Sequence, residues 1–390
     1  VRRRLLAAAA LAALTGSAVP AALAAQSSQF GVRGLGIPGR PVSARSLGMG
    51  GANALLDPET SINPASLGSV SALTASFSGL QNYRWSENAA ADLTARETRF
   101  PQTLVAGPIR AVPLSIGIGF SSYAVRDFRL GSQDTLTIRG VPVAVNDTFT
   151  SRGGLTDVRL GVAYRLPGAL HLGVGLHAIT GVNRLEIRRV FGDSAYRPIS
   201  ENADVSYTGL GLSVGVAKAW RGFALGAFAR TDGHVDVEQD STDRGRIELP
   251  YSVGLGFRWL PAARLELAGQ GIVRTWRDAN RDLLDRGGTG SDNTVEVALG
   301  GQLVRNRRDP TRLPIRFGGR YATLPFPLEV GGTQPRELGV TLGTGIGFAR
   351  DDAGVPRARI DLGLEHVWRR AGEGFTERAL LVGLGVSLRP

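Results

Sequence analysis

From Leu114 to the C-terminus, apolar residues recur at every second position and the positions between them are mostly glycine, serine or charged. In one segment Leu114, Ile116, Ile118 and Phe120 share a parity while Ser115, Gly117, Gly119 and Ser121 share the other. Leu210, Leu212, Val214 and Val216 alternate in the same way with Gly209, Gly211, Ser213 and Gly215. A period of two belongs to strands, because successive side chains leave opposite faces of the chain. Fourteen segments are read this way, at approximately 71–80, 102–109, 114–125, 156–166, 169–183, 204–219, 222–236, 247–259, 263–276, 294–304, 313–323, 337–350, 357–369 and 377–389. Many have the ~9–11 residues that a tilted strand needs to cross a bilayer.

The nature of the polar parity separates two all-β architectures. A soluble sandwich turns that face to water and fills it with Thr, Lys and Glu. In this chain the face is largely glycine and serine with interspersed Arg, Asp and Glu, and glycine is abundant overall, with 53 residues in 390. Glycine weakens a strand unless another backbone approaches closely, as inside a filled lumen. Beyond the first residues no stretch approaches the ~20 apolar residues of a membrane helix. The sequence therefore predicts an all-β, transmembrane antiparallel barrel of about fourteen strands.

The connections fall into two classes. Pro167-Gly168, Trp220-Arg221, Pro261-Ala262 and Asp351-Asp352-Ala353-Gly354 read as tight turns, whereas 126–155, 184–203 and 277–293 read as long polar loops. Short turns on the periplasmic side and long loops outside are the outer-membrane pattern, with both termini on the short-turn side. Tyr164, Trp220, Trp259, Trp276, Tyr321 and Trp368 sit near strand ends, as two interfacial girdles require.

Residues 1–25 read as a cleaved signal peptide: Arg2-Arg3-Arg4, an apolar run from Leu5 to Leu14, and Ala22-Leu23-Ala24 before the cut. Residues 71–390 are the barrel, and 26–70 lie between without strand alternation. A barrel this wide is not filled by its own wall side chains, so residues 26–70 are expected to enter as a hatch or plug, the alternative being a disordered periplasmic tail. Asn63-Pro64 is a helix-start signal, with asparagine capping and proline fixing the next φ.

The stretch Ala44-Arg45-Ser46-Leu47-Gly48-Met49-Gly50-Gly51-Ala52, followed by Asn63-Pro64-Ala65-Ser66-Leu67, resembles the N-terminal signature of the FadL-like outer-membrane transporters and their PorV-type relatives. The Gly-Met-Gly-Gly form is similar to the PorV-type branch. The resemblance implies a fourteen-stranded barrel in a Gram-negative outer membrane. It also implies an internal hatch carrying Arg45, Gly48, Met49, Gly50, Gly51, Asn63, Pro64 and Ala65.

Little in the chain suggests catalysis. There is no cysteine, and the four histidines are His171, His177, His234 and His366. His171 and His177 share the lumen parity but lack a third metal ligand, and pairing His366 with Ser387 as a nucleophile site is coincidence of composition. Asp351-Asp352 lacks the remaining ligands of a calcium loop. No catalytic residue, metal or cofactor is expected. The net charge is +11, yet Lys218 is the sole lysine and the arginines are scattered, which argues against a nucleic-acid partner.

Unpaired charges facing lipid cost ~2–4 kcal/mol at mid-membrane, so strand charges should point inward. Arg159, Arg258, Arg274, Glu296, Arg316, Arg320, Asp361 and Glu365, with Arg165, Arg264, Glu266, Arg359 and Arg369 on the same parity, read either as structural Arg/acid ladders that hold the hatch or, for the first eight, as the lining of a solute path. The expected function is passive transport of hydrophobic or amphipathic small molecules across the outer membrane, with membrane lipid and such a ligand as partners. The alternative is a PorV-type platform that meets secretion-system proteins and transports nothing.

Overall fold

The structure is a computed structural model that describes residues 28–60, 62–88, 91–305, 309–351, 355–372 and 375–390. The signal segment and the 352–354 part of one turn lie outside these residues. A closed antiparallel barrel of 14 strands forms the wall. In chain order they are β1 (Thr74–Asn88), β2 (Ala91–Ile109), β3 (Leu114–Val125), β4 (Val141–Leu166), β5 (Leu170–Phe191), β6 (Ile199–Trp220) and β7 (Phe223–Thr231), then β8 (Ser252–Ala262), β9 (Leu265–Arg274), β10 (Thr294–Leu303), β11 (Ile315–Thr323), β12 (Arg336–Arg350), β13 (Pro356–Ala371) and β14 (Phe375–Leu388). Closure comes from β14 on β1, with Leu384 opposite Gly79 and Val386 opposite Phe77.

The parity read from the sequence is the parity of the wall. Along β6, Leu212 is 51% exposed and Val214 55%, whereas Ser213 between them is 2% exposed. Outward Leu, Val and Ile recur all round the molecule, and an apolar belt of that extent is stable only against hydrocarbon. Tyr164, Trp220 and Trp259 are exposed at the short-turn end and Tyr321 and Trp368 at the other, giving two rims. Trp276 does not join them. It opens a 3-10 turn (Trp276–Ala279) that continues into a short helix (Asn280–Asp285), and its ring is buried edge-on against Phe326 at 5.2 Å.

Two expected loops are strand. Phe128–Ile138 pairs with the Val141 end of β4, and β5 and β6 run on together as far as Arg189 opposite Ile199. The region at 81–101 is likewise taken up by β1 and β2. In these extensions inward residues such as Asn82, Arg84 and Asn183 are buried but polar, and around 132–135 both faces meet water, so apolar alternation stops while the hydrogen-bond ladder continues. Arg189 donates to Asp147 and Arg184 to Asp204 across these exposed extensions. Arg264 also departs from expectation, because it occupies the exposed turn between β8 and β9 rather than the lumen wall.

The described residues of 28–70 add no membrane-spanning strand; within them only Ile37–Pro38 pairs as strand with the wall, opposite Val125 and Ala124 of β3. They contain a four-residue helix (Ala44–Leu47), whose first turn is capped when the Ser43 hydroxyl accepts from Ser46 N at 3.0 Å, and a 3-10 helix (Pro64–Ser69). Asn63 Oδ1 accepts from Ala65 N at 3.0 Å with Pro64 in the first helical position. This inner segment packs against the inward face of the wall. Asn63 Nδ2 donates to Val216 O, Leu55 N to Gln270 Oε1 and Thr341 Oγ1 to Gly48 O, at 3.1, 3.1 and 3.2 Å.

Candidate functional site: the space between the inner segment and the wall

Inward glycines let the inner segment lie directly on the wall. A Cβ on Gly318 would strike the Met49 carbonyl carbon and oxygen, and one on Gly173 would strike the Pro64–Ala65 peptide. Met49 is fully buried there beside Ala52, Ala268 and Ala298, and Gly50 and Gly51 turn the segment with φ of +70° and +88°. Gly318→Val should force the backbones apart at a cost of ~1–3 kcal/mol, as overpacking does. The expected result is faster protease cleavage within residues 40–60 while the barrel keeps its folded gel mobility. An unchanged cleavage rate would show that the contact is not tight.

Charge then fastens the segment. Arg40 Nη1 donates to both oxygens of Glu365 at 2.9 and 2.8 Å, and Glu365 is fully buried. The chain of pairs continues along the wall from Glu365 to Arg320 at 3.4 Å, then through Glu337 to Arg369. Arg369 reaches Glu377 at 2.5 Å, and Glu377 takes a hydroxyl bond from Ser28 and lies 3.3 Å from Arg84. A second group joins Arg316 to Asp361 at 2.7 Å and Arg359 to both Asp361 and Glu59 at 2.5 Å. Arg274 and Glu296 form a looser pair at 3.5 Å.

The third group runs from β3 to the residue that follows β7. His177 Nδ1 lies 2.9 Å from Asp157 and its Nε2 lies 2.9 Å from the Ser213 hydroxyl. Arg230 Nη1 holds Asp157 at 2.7 Å, its Nε holds Asp232 at 2.6 Å, and Tyr123 donates to Asp232 at 3.0 Å. The connectivity is that of a serine-hydrolase triad, but a nucleophile needs room for substrate. Ser213 is 2% exposed, and a Cβ on the facing Gly175 would meet its Oγ at 2.5 Å. The group is a buried brace.

Among the described residues, small cavities lie between segment and wall in the upper lumen. One, of about 100 Å³, combines Val42, Leu47, Leu80 and Leu381 with Arg40 and Glu296. Another, of about 70 Å³, is bordered by Tyr123, Asp157, Arg159 and Arg230. Ligand sites usually measure ~300–1,000 Å³, so the segment must shift before a larger molecule fits.

Of the charges expected inside, Arg159, Arg274, Glu296, Arg316, Arg320, Asp361 and Glu365 face the lumen within these networks, as do Arg359 and Arg369. Arg258 lines a separate cavity near the short turns. Arg165 instead donates to Leu114 O at 3.3 Å. His171 and His177 do not converge, and among the described residues no group of three metal-ligating side chains forms. His366 is half-exposed against Trp368 on the outer parity while Ser387 is buried inward, so that pair is separated by the wall. Sequence reading missed Arg40, Glu59, Arg84, Glu337 and Glu377. Glu337 and Glu377 open strands on the inward parity, a signal available once the register is fixed.

Taken together, a lipid-facing belt, a closed fourteen-stranded wall and a lumen occupied by its own N-terminal segment define an outer-membrane β-barrel with the FadL-like fold. A FadL homologue from Pseudomonas aeruginosa superposes with a TM-score of 0.59 at 12% identity, covering 89% of this chain and 98% of that one. The Pseudomonas putida toluene transporter TodX gives 0.58 at 14%, covering 91% and 99%. The CymD monoaromatic hydrocarbon channel gives 0.55 at 13%, covering 91% and 98%. The BamG family model matches residues 3–221, over half of the 390 residues, and the chain belongs to that family. No curated protein matches it.

Proposed function

We propose that this protein is a passive outer-membrane channel for hydrophobic or amphipathic small molecules, in which residues 26–70 act as a hatch. The observation that carries the reading is the seam between inner segment and wall. It is held by glycine contacts, ion pairs and one two-residue pairing of Ile37–Pro38 on β3, and it encloses cavities of mixed apolar and charged lining. A seam of that kind opens by exchanging salt bridges for water without breaking the barrel. The fold shared with TodX and CymD supports a hydrophobic cargo, and none of the neighbours named is described as a secretion platform. No bond is made or broken in this function; the driving force is the gradient of the ligand.

In this reading the motif residues Arg45, Gly48, Met49, Gly50, Gly51, Asn63, Pro64 and Ala65 seat the hatch, and the lumen charges hydrate or guide a headgroup as it moves. Refolded, delipidated protein should take up a long-chain fatty acid or an aromatic hydrocarbon saturably, at micromolar concentration, by calorimetry. Absence of uptake for both classes, from protein with folded gel mobility, would reject the channel.

A further inference from the structure

Where the inner segment meets the short-turn end of the wall lies a cavity of about 290 Å³, larger than either cavity above it. Its charged lining is one-sided: Arg45, Lys218, Arg258 and Arg389 against Asp57, with the His171 ring beside them. Asp57 is already committed, since Oδ2 accepts from the Ser43 hydroxyl at 2.8 Å and Oδ1 from Glu59 N at 3.0 Å. Among the described residues neither Arg258 nor Arg389 has a carboxylate within ion-pair distance, and Arg45 reaches only Glu266, at 3.8 Å. The other large inward groups of arginines are interleaved with acids, so this gap in pairing is local.

Two further features point to a missing partner. Arg45 Nε and the Ser66 hydroxyl, both from residues lining the cavity, are buried without a hydrogen-bond partner. Buried groups of that kind are ordinarily satisfied. Burial, with Arg359 and Arg45 close by, pushes the Arg389 guanidinium below its ordinary range against the opposing pull of Glu59 and Asp351. Lys218 keeps one bond, to Gly168 O at 2.7 Å, and has two N–H groups left to donate. The turn 167–169, the end of β6 and the end of β8 place this basin on the periplasmic side.

We propose that this basin binds a phosphate group, free or as the headgroup of an amphiphile, at the periplasmic mouth of the lumen. Several converging guanidinium and ammonium donors, a hydroxyl and no free carboxylate suit a compact oxyanion with several acceptor oxygens. The volume holds a phosphate with a few waters, each of ~30 Å³. The site does not depend on hydrophobic cargo, because inorganic phosphate alone probes it.

The test uses the full chain in an uncharged maltoside detergent at low ionic strength, with inorganic phosphate titrated by calorimetry and ³¹P line broadening. Saturable binding is expected, weakened about tenfold or more by Arg258→Gln combined with Arg389→Gln. Arg184→Gln, at the exposed pair with Asp204, should leave it unchanged. Arg258→Lys with Arg389→Lys keeps the charge and should retain most of the affinity, which separates lost charge from lost fold. Octyl phosphate binding at least tenfold tighter than inorganic phosphate assigns the site to a headgroup; equal affinities assign it to the free anion. No saturable binding by the wild-type chain, or equal binding by the wild type and the double glutamine variant, overturns the proposal.

Discussion

A chain lacking residues 26–68 inserts into planar bilayers and conducts ions in discrete steps that the full chain does not show. Two physical arguments lead there. The fourteen wall strands pair with one another, so removing the inner segment breaks only the two-residue pairing of Ile37–Pro38 on β3. The wall charges also keep partners when it goes, with Glu365 retaining Arg320 and Arg359 retaining Asp361. Water then solvates what Arg40 and Glu59 leave behind. A barrel of this strand number is too wide for wall side chains to close, so the vacated lumen becomes an aqueous path. Unchanged conductance from a correctly folded, truncated barrel would mean that the segment is not the obstruction.

The second large effect is local. Glu365→Leu leaves Arg40 and Arg320 facing each other without the carboxylate between them, and Glu365 itself has no exposed surface. Removing one member of a buried ionic group typically costs ~3–5 kcal/mol, because the remaining charges lose their compensation. The urea midpoint of the full chain in vesicles should fall accordingly. Adding Arg40→Leu should recover a substantial part of the loss, as the coupling in a double-mutant cycle. A single variant within ~0.5 kcal/mol of wild type would show that water reaches this network freely.

Much of the wall was readable because lipid and lumen impose opposite demands on alternate residues. β3 runs over Leu114–Val125, where the alternation placed it. The reading failed where one of those demands lapses. Around Gln133-Asp134-Thr135 both faces are wet, so the strand continues with no apolar signal. Trp276 looked like an interfacial anchor because it follows β9, yet the chain has left the wall by then and folds its ring into the upper core with Phe326. The inner segment was legible as an absence of strand, with Asn63-Pro64 marking one helix start. Its course was not, since helices of four to six residues carry no usable period.

Site geometry was legible in type more than in pairing. Inward parity identified the lumen arginines and carboxylates, but partners are set by the stagger between strands. Asp157, His177 and Ser213 form their brace along a diagonal: Arg159 stands opposite His177, and Gly175 opposite Ser213. Counting outward from the Pro167-Gly168 turn fixes the first of these registers, so that contact was recoverable from sequence. The links from Arg40 to Glu365 and from Glu59 to Arg359 were not, because they join a segment without periodicity to strands some 300 residues away.

Alternate side chains of one strand face hydrocarbon and an enclosed interior. The chain has no cysteine, so nitroxide labels can be introduced singly at residues 210–216 of β6 in vesicle-inserted protein. Collision with dissolved oxygen should be high at 210, 212, 214 and 216 and low at 211, 213 and 215, with a water-soluble nickel chelate excluded from the even set. Equal access of the nickel chelate to Leu212 and Val214 would place that face in water and contradict the barrel's membrane setting.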